Sequence, residues 1–166
     1  DTASSHERCS VIEVMGRAAG YIALNVGIAT GAEVILVPER PYDFNTDVLK
    51  AILEGRNRGK HHYIVVVAEG VGHAGDIANQ IESMTGIEAR ATILGHLQRG
   101  GSPTLRDRQM ASLMGLHAVD CLKEGRFNRI VAYKAGQIVD IDIDEALQAI
   151  KTIDPTDMEH AKILTT

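Results

Sequence analysis

The stretch YIVVVAEG, Tyr63 to Gly70, decides the fold. Ile64 to Ala68 is unbroken apolar chain rich in β-branched residues, which suits a strand covered on both faces. Glu69 and Gly70 end it. Such a strand needs helices above and below, and the flanking sequence supplies them. CSVIEVMGR (Cys9 to Arg17) reads as an earlier strand, and the small-residue-rich AAGYIALNVGIATGAE after it as a helix ending near Gly31. VILVP then reads as a short buried strand stopped by Pro38. NTDVLKAILEGRNRGK predicts a helix capped by Asn45, with Val48, Leu49, Ile52 and Leu53 on one face and Gly55 or Gly59 at its end. A further helix through Ile77, Ile81 and Met84 leads to a strand before His96, where Ala91, Ile93 and Leu94 are expected to be buried. Strand alternating with helix predicts an α/β fold. Its sheet is mainly parallel with helices on both faces, and ligands gather at the carboxyl ends of its strands.

Past Pro103 the pattern changes. Met110, Leu113, Met114, His117, Ala118 and Cys121 follow helical spacing up to Gly125, with His117 a core-edge residue and not a ligand. RIVAY and QIVDI, separated by Lys134, Ala135 and Gly136, predict a hairpin. DIDEALQAI opens with Asp142 three residues before Glu145, the spacing of a capping box. Asp140, Asp142 and Asp144 are read as caps and solvated positions in preference to a metal site, so no metal ligand is assigned. No internal repeat or low-complexity linker is visible.

The chain has 166 residues, 45% of them hydrophobic, and a net charge of -5. It is long enough for a domain or a domain and a half with a real core. The acidic balance argues against nonspecific nucleic-acid binding, and no run of about 18 apolar residues predicts a membrane span. Cys9 on a strand and Cys121 on a helix read as reduced core residues, which implies a cytoplasmic setting. DTASSHER at the start carries neither an initiator Met nor a signal pattern and is expected to belong to a fragment or a processed product.

Chemistry-bearing residues collect around strand ends. In ATILGHLQRGGSP, Ala91 to Pro103, the glycines Gly95, Gly100 and Gly101 permit unusual backbone, while His96 and Arg99 can converge on one anion. The turn alone leaves two readings open, an anion site and a plain connection. Met15-Gly16-Arg17, Glu69-Gly70, and Arg90 with His96 and Arg99 are the other candidates, together with Glu33 before VILVP. If strand ends share an edge, Arg17, Glu69, His96 and Arg99 face one crevice. Cations beside a carboxylate suit a phosphorylated polyol; the alternative for Glu69 is a structural ion pair with an arginine.

Arg58, Lys60, His61 and His62 precede the strongest strand, so they belong at its amino end, away from that crevice; a solvated basic turn is the alternative there. His61 and His62 do not suit a metal pair, because adjacent residues on extended backbone point apart. Ser4, Ser5, His6 and Glu7, or His96, Ser102 and Asp107, lack a nucleophile elbow, and no glycine-rich nucleotide loop follows a strand.

DTASSHER, VIEVMGRAAG, VVVAEGVG and ARATILGHLQRGGSPTLRDR, in that order, resemble the bacterial 6-phosphofructokinases, and the likeness runs to about Asp154. The resemblance implies a C-terminal half of an ATP-dependent enzyme of glycolysis. It divides the chain into a fructose 6-phosphate and effector domain (1–97), part of the larger nucleotide domain (98–152) and a return segment (153–166). By resemblance, Met15, Gly16, Arg17, Glu69, His96 and Arg99 line the sugar-phosphate site, with Arg17 catalytic, and Arg8 and Arg90 reach a neighbouring subunit's substrate in a homotetramer. Gly31, Ala32, Glu33, Arg58, Lys60, His61 and His62 match an allosteric site for ADP, GDP or phosphoenolpyruvate. His61 stands where a Lys is common, and an Arg expected just before Asp1 is absent.

The family's catalytic aspartate, its donor loop and most ligands of the Mg2+ carried with ATP fall in the preceding half, so this chain alone is expected to be inactive. A pyrophosphate-dependent relative and a non-catalytic sugar-phosphate-binding module are the alternatives.

Overall fold

The computed structural model describes residues 7–150 and 152–164. The chain divides into two units, Asp1–Arg99 with Thr152–Thr166, and Gly100–Lys151. Ser4, Ser5 and His6, weighed above as hydrolase residues, lie outside the described residues.

In the first unit β1 (Cys9–Val14), β2 (Val34–Leu36), β3 (Tyr63–Ala68) and β4 (Ala89–Ile93) form one parallel sheet in the order β2-β3-β1-β4. Cys9 lies opposite both Tyr63 and Ala89, and Val14 opposite Ala68, so all carboxyl ends reach one edge. β3 is buried almost throughout, as its apolar run requires. Its alternate side chains feed two cores. Val65 and Val67 pack with Val11, Ile52, Ile77 and Ile81, whereas Val66 and Ala68 pack with Val14, Ala23 and Val37. Helices α2 (Lys50–Asn57) and α3 (Ala74–Thr85) therefore cover one face, and α1 (Tyr21–Thr30) covers the other. This is the expected α/β arrangement.

Three local expectations change. The cap before α2 is Asp43, not Asn45: its carboxylate accepts the Thr46 N–H at 2.9 Å, and Asp47 in turn accepts the Asp43 N–H at 2.9 Å. A π-helical turn, Phe44–Leu49, then leads into α2, and Leu53 faces solvent. The helix ends at Arg58, with Gly59 at φ +83, while Gly55 is buried against the Tyr63 ring. Ala91 and Ile93 are exposed, Ile93 by 60%, because among the described residues β4 is an edge strand that pairs with β1 alone; Leu94 alone of that trio packs on the core.

The last helix of the first unit, α6 (Pro155–Leu164), buries Ala161 and sets Met158, with Ile153 ahead of it, on the core beside α1. Tyr21 Oη donates to the Thr152 carbonyl at 2.6 Å.

The second unit opens with α4 (Leu105–Lys123), started by a capping box between Thr104 and Asp107. Strands β5 (Arg129–Lys134) and β6 (Gln137–Asp142) form the expected antiparallel hairpin, turning through Ala135 and Gly136 at φ +49 and +82. Asp142 caps α5 (Ile143–Gln148) by accepting the Asp144 N–H at 2.9 Å, an Asx-type cap in place of the capping box with Glu145. Cys9 and Cys121 are both buried and free, and burial pushes the Cys9 thiol up to about 12. No helix among the described residues is long and apolar enough to cross a membrane.

Candidate functional site

Adjacent parallel strands ending at one level place their following loops side by side. The Glu69 N–H continues the ladder by donating to the Val14 carbonyl at 2.9 Å, which sets the Glu69 side chain beside the turn after β1. There Glu69 Oε1 accepts the Gly16 N–H at 3.0 Å and the Arg17 N–H at 2.5 Å. Backbone amides, not an arginine side chain, thus hold this carboxylate. They keep its pKa below the ordinary carboxylate range, the Arg17 amide most strongly and the Gly16 amide next, and the charges of Arg17 and Arg99 add to the effect. Arg17 itself has φ +52, a conformation that a residue with a Cβ adopts only when its surroundings impose it.

The turn after β4 approaches from the other side of β1. Leu94 N–H donates to the Glu13 carbonyl at 3.2 Å, and a 3-10 turn, Gly95–Gln98, carries His96 toward Arg99, whose N–H donates to the His96 carbonyl at 2.9 Å. Gln98 Oε1 accepts the Met15 N–H at 2.8 Å. Met15, Gly16, Arg17, Glu69 and the His96–Arg99 turn therefore meet at the carboxyl edge. His96 and Arg99 are exposed there.

Arg90 is not part of this group. It stands at the start of β4, so a six-residue β1 of roughly 17–20 Å separates its level from that of Arg17. With Arg8 it converges on Glu88: Arg8 Nε lies 2.7 Å from Oε2, and Arg90 Nη2 lies 2.7 Å from Oε1. The two guanidiniums hold the Glu88 pKa below the ordinary carboxylate value, Arg8 the more strongly.

The same amino edge carries the second cluster. Glu33 accepts the Ile64 N–H at 2.6 Å and pairs with Lys60 Nζ at 3.1 Å; its side chain is only 8% exposed. Gly31 ends α1 at φ +64, and Ala32 is buried beside it. Glu33 and Arg58 line a cavity of about 280 Å3 together with Asp47, Lys50 and Lys162. His61 and His62 are exposed, and His61 Nδ1 lies 3.7 Å from Glu7. This cluster and the group around Arg17, Glu69 and Arg99 occupy opposite edges of the sheet, as the position of the basic turn before β3 implies.

No local sequence signal marks Gln98 or Glu88. Both act across strands, between residues 83 and 80 positions apart. A third unforeseen group lies in the second unit, where Asp140 pairs with Arg126, with Arg129 at 2.8 Å and with His117 at 2.9 Å. Cys121 adjoins it. Asp140 is held far below the ordinary carboxylate range by Arg126 first, then His117 and Arg129. With guanidinium donors on both oxygens, the chemistry is that of a neutralised structural cluster and does not suit a cation.

The phosphofructokinase family model matches residues 1–122. ATP-dependent 6-phosphofructokinase 1 of Clostridium perfringens is 54% identical over 164 residues, which is 99% of this chain and 51% of that protein. The ATP-dependent 6-phosphofructokinase of Clostridium acetobutylicum is 57% identical over 147 residues, 89% of this chain and 46% of that one. The chain thus spans about half the length of the curated relatives it matches. Among solved structures, phosphofructokinase from Saccharomyces cerevisiae superposes with a TM-score of 0.82 at 32% identity, over 89% of this chain and 21% of that one. A pyrophosphate-dependent phosphofructokinase from Nitrosospira multiformis, with a TM-score of 0.78 over 99% of this chain and 50% of that one, shares the fold at 21% identity. On its sequence and its α/β fold alike, the chain belongs to the phosphofructokinase family.

Proposed function

We propose that this chain is the C-terminal, sugar-phosphate-binding half of an ATP-dependent 6-phosphofructokinase, which transfers the γ-phosphoryl of ATP to the 1-hydroxyl of fructose 6-phosphate. The observation that carries the reading is the meeting of Met15–Arg17, Glu69 and the His96–Arg99 turn at one sheet edge, in a chain more than half identical to enzymes of that name. His96 and Arg99 take the 6-phosphate, since a guanidinium and an imidazole on one turn match its oxygens. Arg17 stands by the transferring phosphoryl group and offsets its charge, which is how such reactions are accelerated. Glu69 keeps lone pairs beyond those its amide partners use, and these accept a sugar hydroxyl.

Mg2+ with ATP finds no fitting donor set here. Glu69, the carboxylate beside Arg17, lies in the field of two arginines and accepts two amides, whereas Mg2+ needs several oxygen ligands in octahedral array. Most of its ligands and the base are therefore assigned to the other half.

Residues 1–97 are assigned to the fructose 6-phosphate and effector domain, 98–152 to the nucleotide domain and 153–166 to a return segment. The division of the chain at Arg99 and at Thr152 supports this. Glu33, Arg58 and Lys60, with Gly31, Ala32, His61 and His62, are assigned to a phosphorylated effector such as ADP, GDP or phosphoenolpyruvate. By the family resemblance, Arg8 and Arg90 are assigned to a neighbouring copy's sugar phosphate in a homotetramer, and their place at the sheet edge away from Arg17 and Arg99 agrees with that assignment. The setting is cytoplasmic glycolysis.

A coupled assay for fructose 1,6-bisphosphate on the full-length enzyme tests the reading. Product is expected with ATP and not with pyrophosphate, and none is expected from this chain alone. Turnover with pyrophosphate only contradicts the donor assignment; none with either donor contradicts the activity.

A further inference from the structure

Three consecutive backbone amides follow β1, and side chains from two different strand ends answer all of them. The Gly16 and Arg17 N–H groups donate to Glu69, at the end of β3, and the Met15 N–H donates to Gln98, beyond the end of β4. Because β1 lies between β3 and β4, its turn is gripped from both sides. The turn needs the grip. Arg17 sits at φ +52, and the cost of that conformation for a residue with a Cβ is of the same order as the contribution of one side-chain hydrogen bond. Losing a single clamp therefore changes how fully the turn is populated.

We propose that Gln98 is a positioning residue: by accepting the Met15 N–H it ties the His96–Arg99 turn to the Met15–Arg17 turn and fixes the distance between the groups that hold the two ends of the sugar phosphate. An amide N–H can be answered only by the side-chain oxygen of glutamine, so this bond also fixes which way the Gln98 amide faces. Gln98 touches neither reacting group through this bond; it acts through Met15. The role rests on the proposed sugar-phosphate reading, but the bond itself does not.

The test is hydrogen exchange by mass spectrometry, with steady-state kinetics, on the full-length enzyme and two variants. Gln98→Met keeps the length and removes the acceptor; Gln98→Glu keeps an acceptor. Faster exchange at 15–17 in Gln98→Met is expected, with β3 unchanged as the check that the variant is folded, and slow exchange is expected to return in Gln98→Glu. The same Gln98→Met enzyme should show a KM for fructose 6-phosphate raised about three- to ten-fold, the range for one lost hydrogen bond, at unchanged KM for ATP. Unchanged exchange at 15–17 overturns the proposal, as does faster exchange with unaltered fructose 6-phosphate kinetics. A wild-type enzyme inactive on fructose 6-phosphate overturns the functional reading, and the exchange comparison then still decides whether Gln98 holds the turn.

Discussion

Gly70 lies so close to Arg17 that a Cβ added at position 70 would stand 2.1 Å from the Arg17 carbonyl oxygen. The contact is backbone against backbone, so no rotamer change relieves it. It explains why a glycine follows Glu69: the β3 loop must pass the β1 turn at a distance that only a residue without a side chain allows. Gly70→Ala is expected to push the Arg17 turn away from Glu69, destabilising the protein by about 1–3 kcal/mol and raising the KM for fructose 6-phosphate. Thermal unfolding and kinetics on the full-length enzyme check both; an alanine variant with wild-type stability and KM would show that the turn yields freely.

Asp140 in the second unit gives a pH prediction. Its folded-state pKa is depressed below the ordinary 3.8 by Arg126, His117 and Arg129. A group depressed on folding contributes stability above its unfolded pKa and loses it as pH falls through the folded value. The gap in unfolding midpoint between wild type and Asp140→Asn should therefore be widest above about pH 5, where the unfolded carboxyl is ionised, and should narrow progressively below pH 4. A gap independent of pH would show that the variant acts through packing alone.

Lys60 and Glu33 form an ion pair at 3.1 Å beside the amino end of β3. If a phosphorylated effector binds there, Lys60→Ala removes a cation from it, and the effector concentration giving half-maximal response should rise about ten-fold or more. Activity titrations with ADP and with phosphoenolpyruvate supply the measurement. An unshifted response to both would place the effector elsewhere.

The α/β alternation and the buried β3 were legible because burial on both faces leaves an unbroken apolar run. The meeting of the Met15–Arg17, Glu69 and His96–Arg99 segments was legible in outline, since residues that follow adjacent parallel strands must lie near one another. What sequence could not supply were partners set by folding. Nothing near Gln98 in the chain marks it as the acceptor for Met15, and Glu88 became visible as the anchor of Arg8 and Arg90 only once β1 and β4 were paired. Glu13, which accepts the Ala74 N–H at 3.0 Å, and Glu39, which accepts the Gly20 N–H at 2.9 Å, cap α3 and α1 from 61 and 19 residues away. Those caps have no local signature. The burial expected of Ala91 and Ile93 failed for a related reason: an apolar pattern does not say whether a strand is central or at an edge. Grouping Arg90 with Arg99 failed because a strand intervenes.

In the proposed reading the carboxyl-edge group holds the sugar phosphate chiefly through Arg99. Calorimetric titration of fructose 6-phosphate into the full-length enzyme, wild type against Arg99→Ala, tests it most directly. A loss of about 2 kcal/mol, roughly thirty-fold in Kd, is expected for removal of a charge-assisted contact. Equal affinity of the two proteins for fructose 6-phosphate would contradict it.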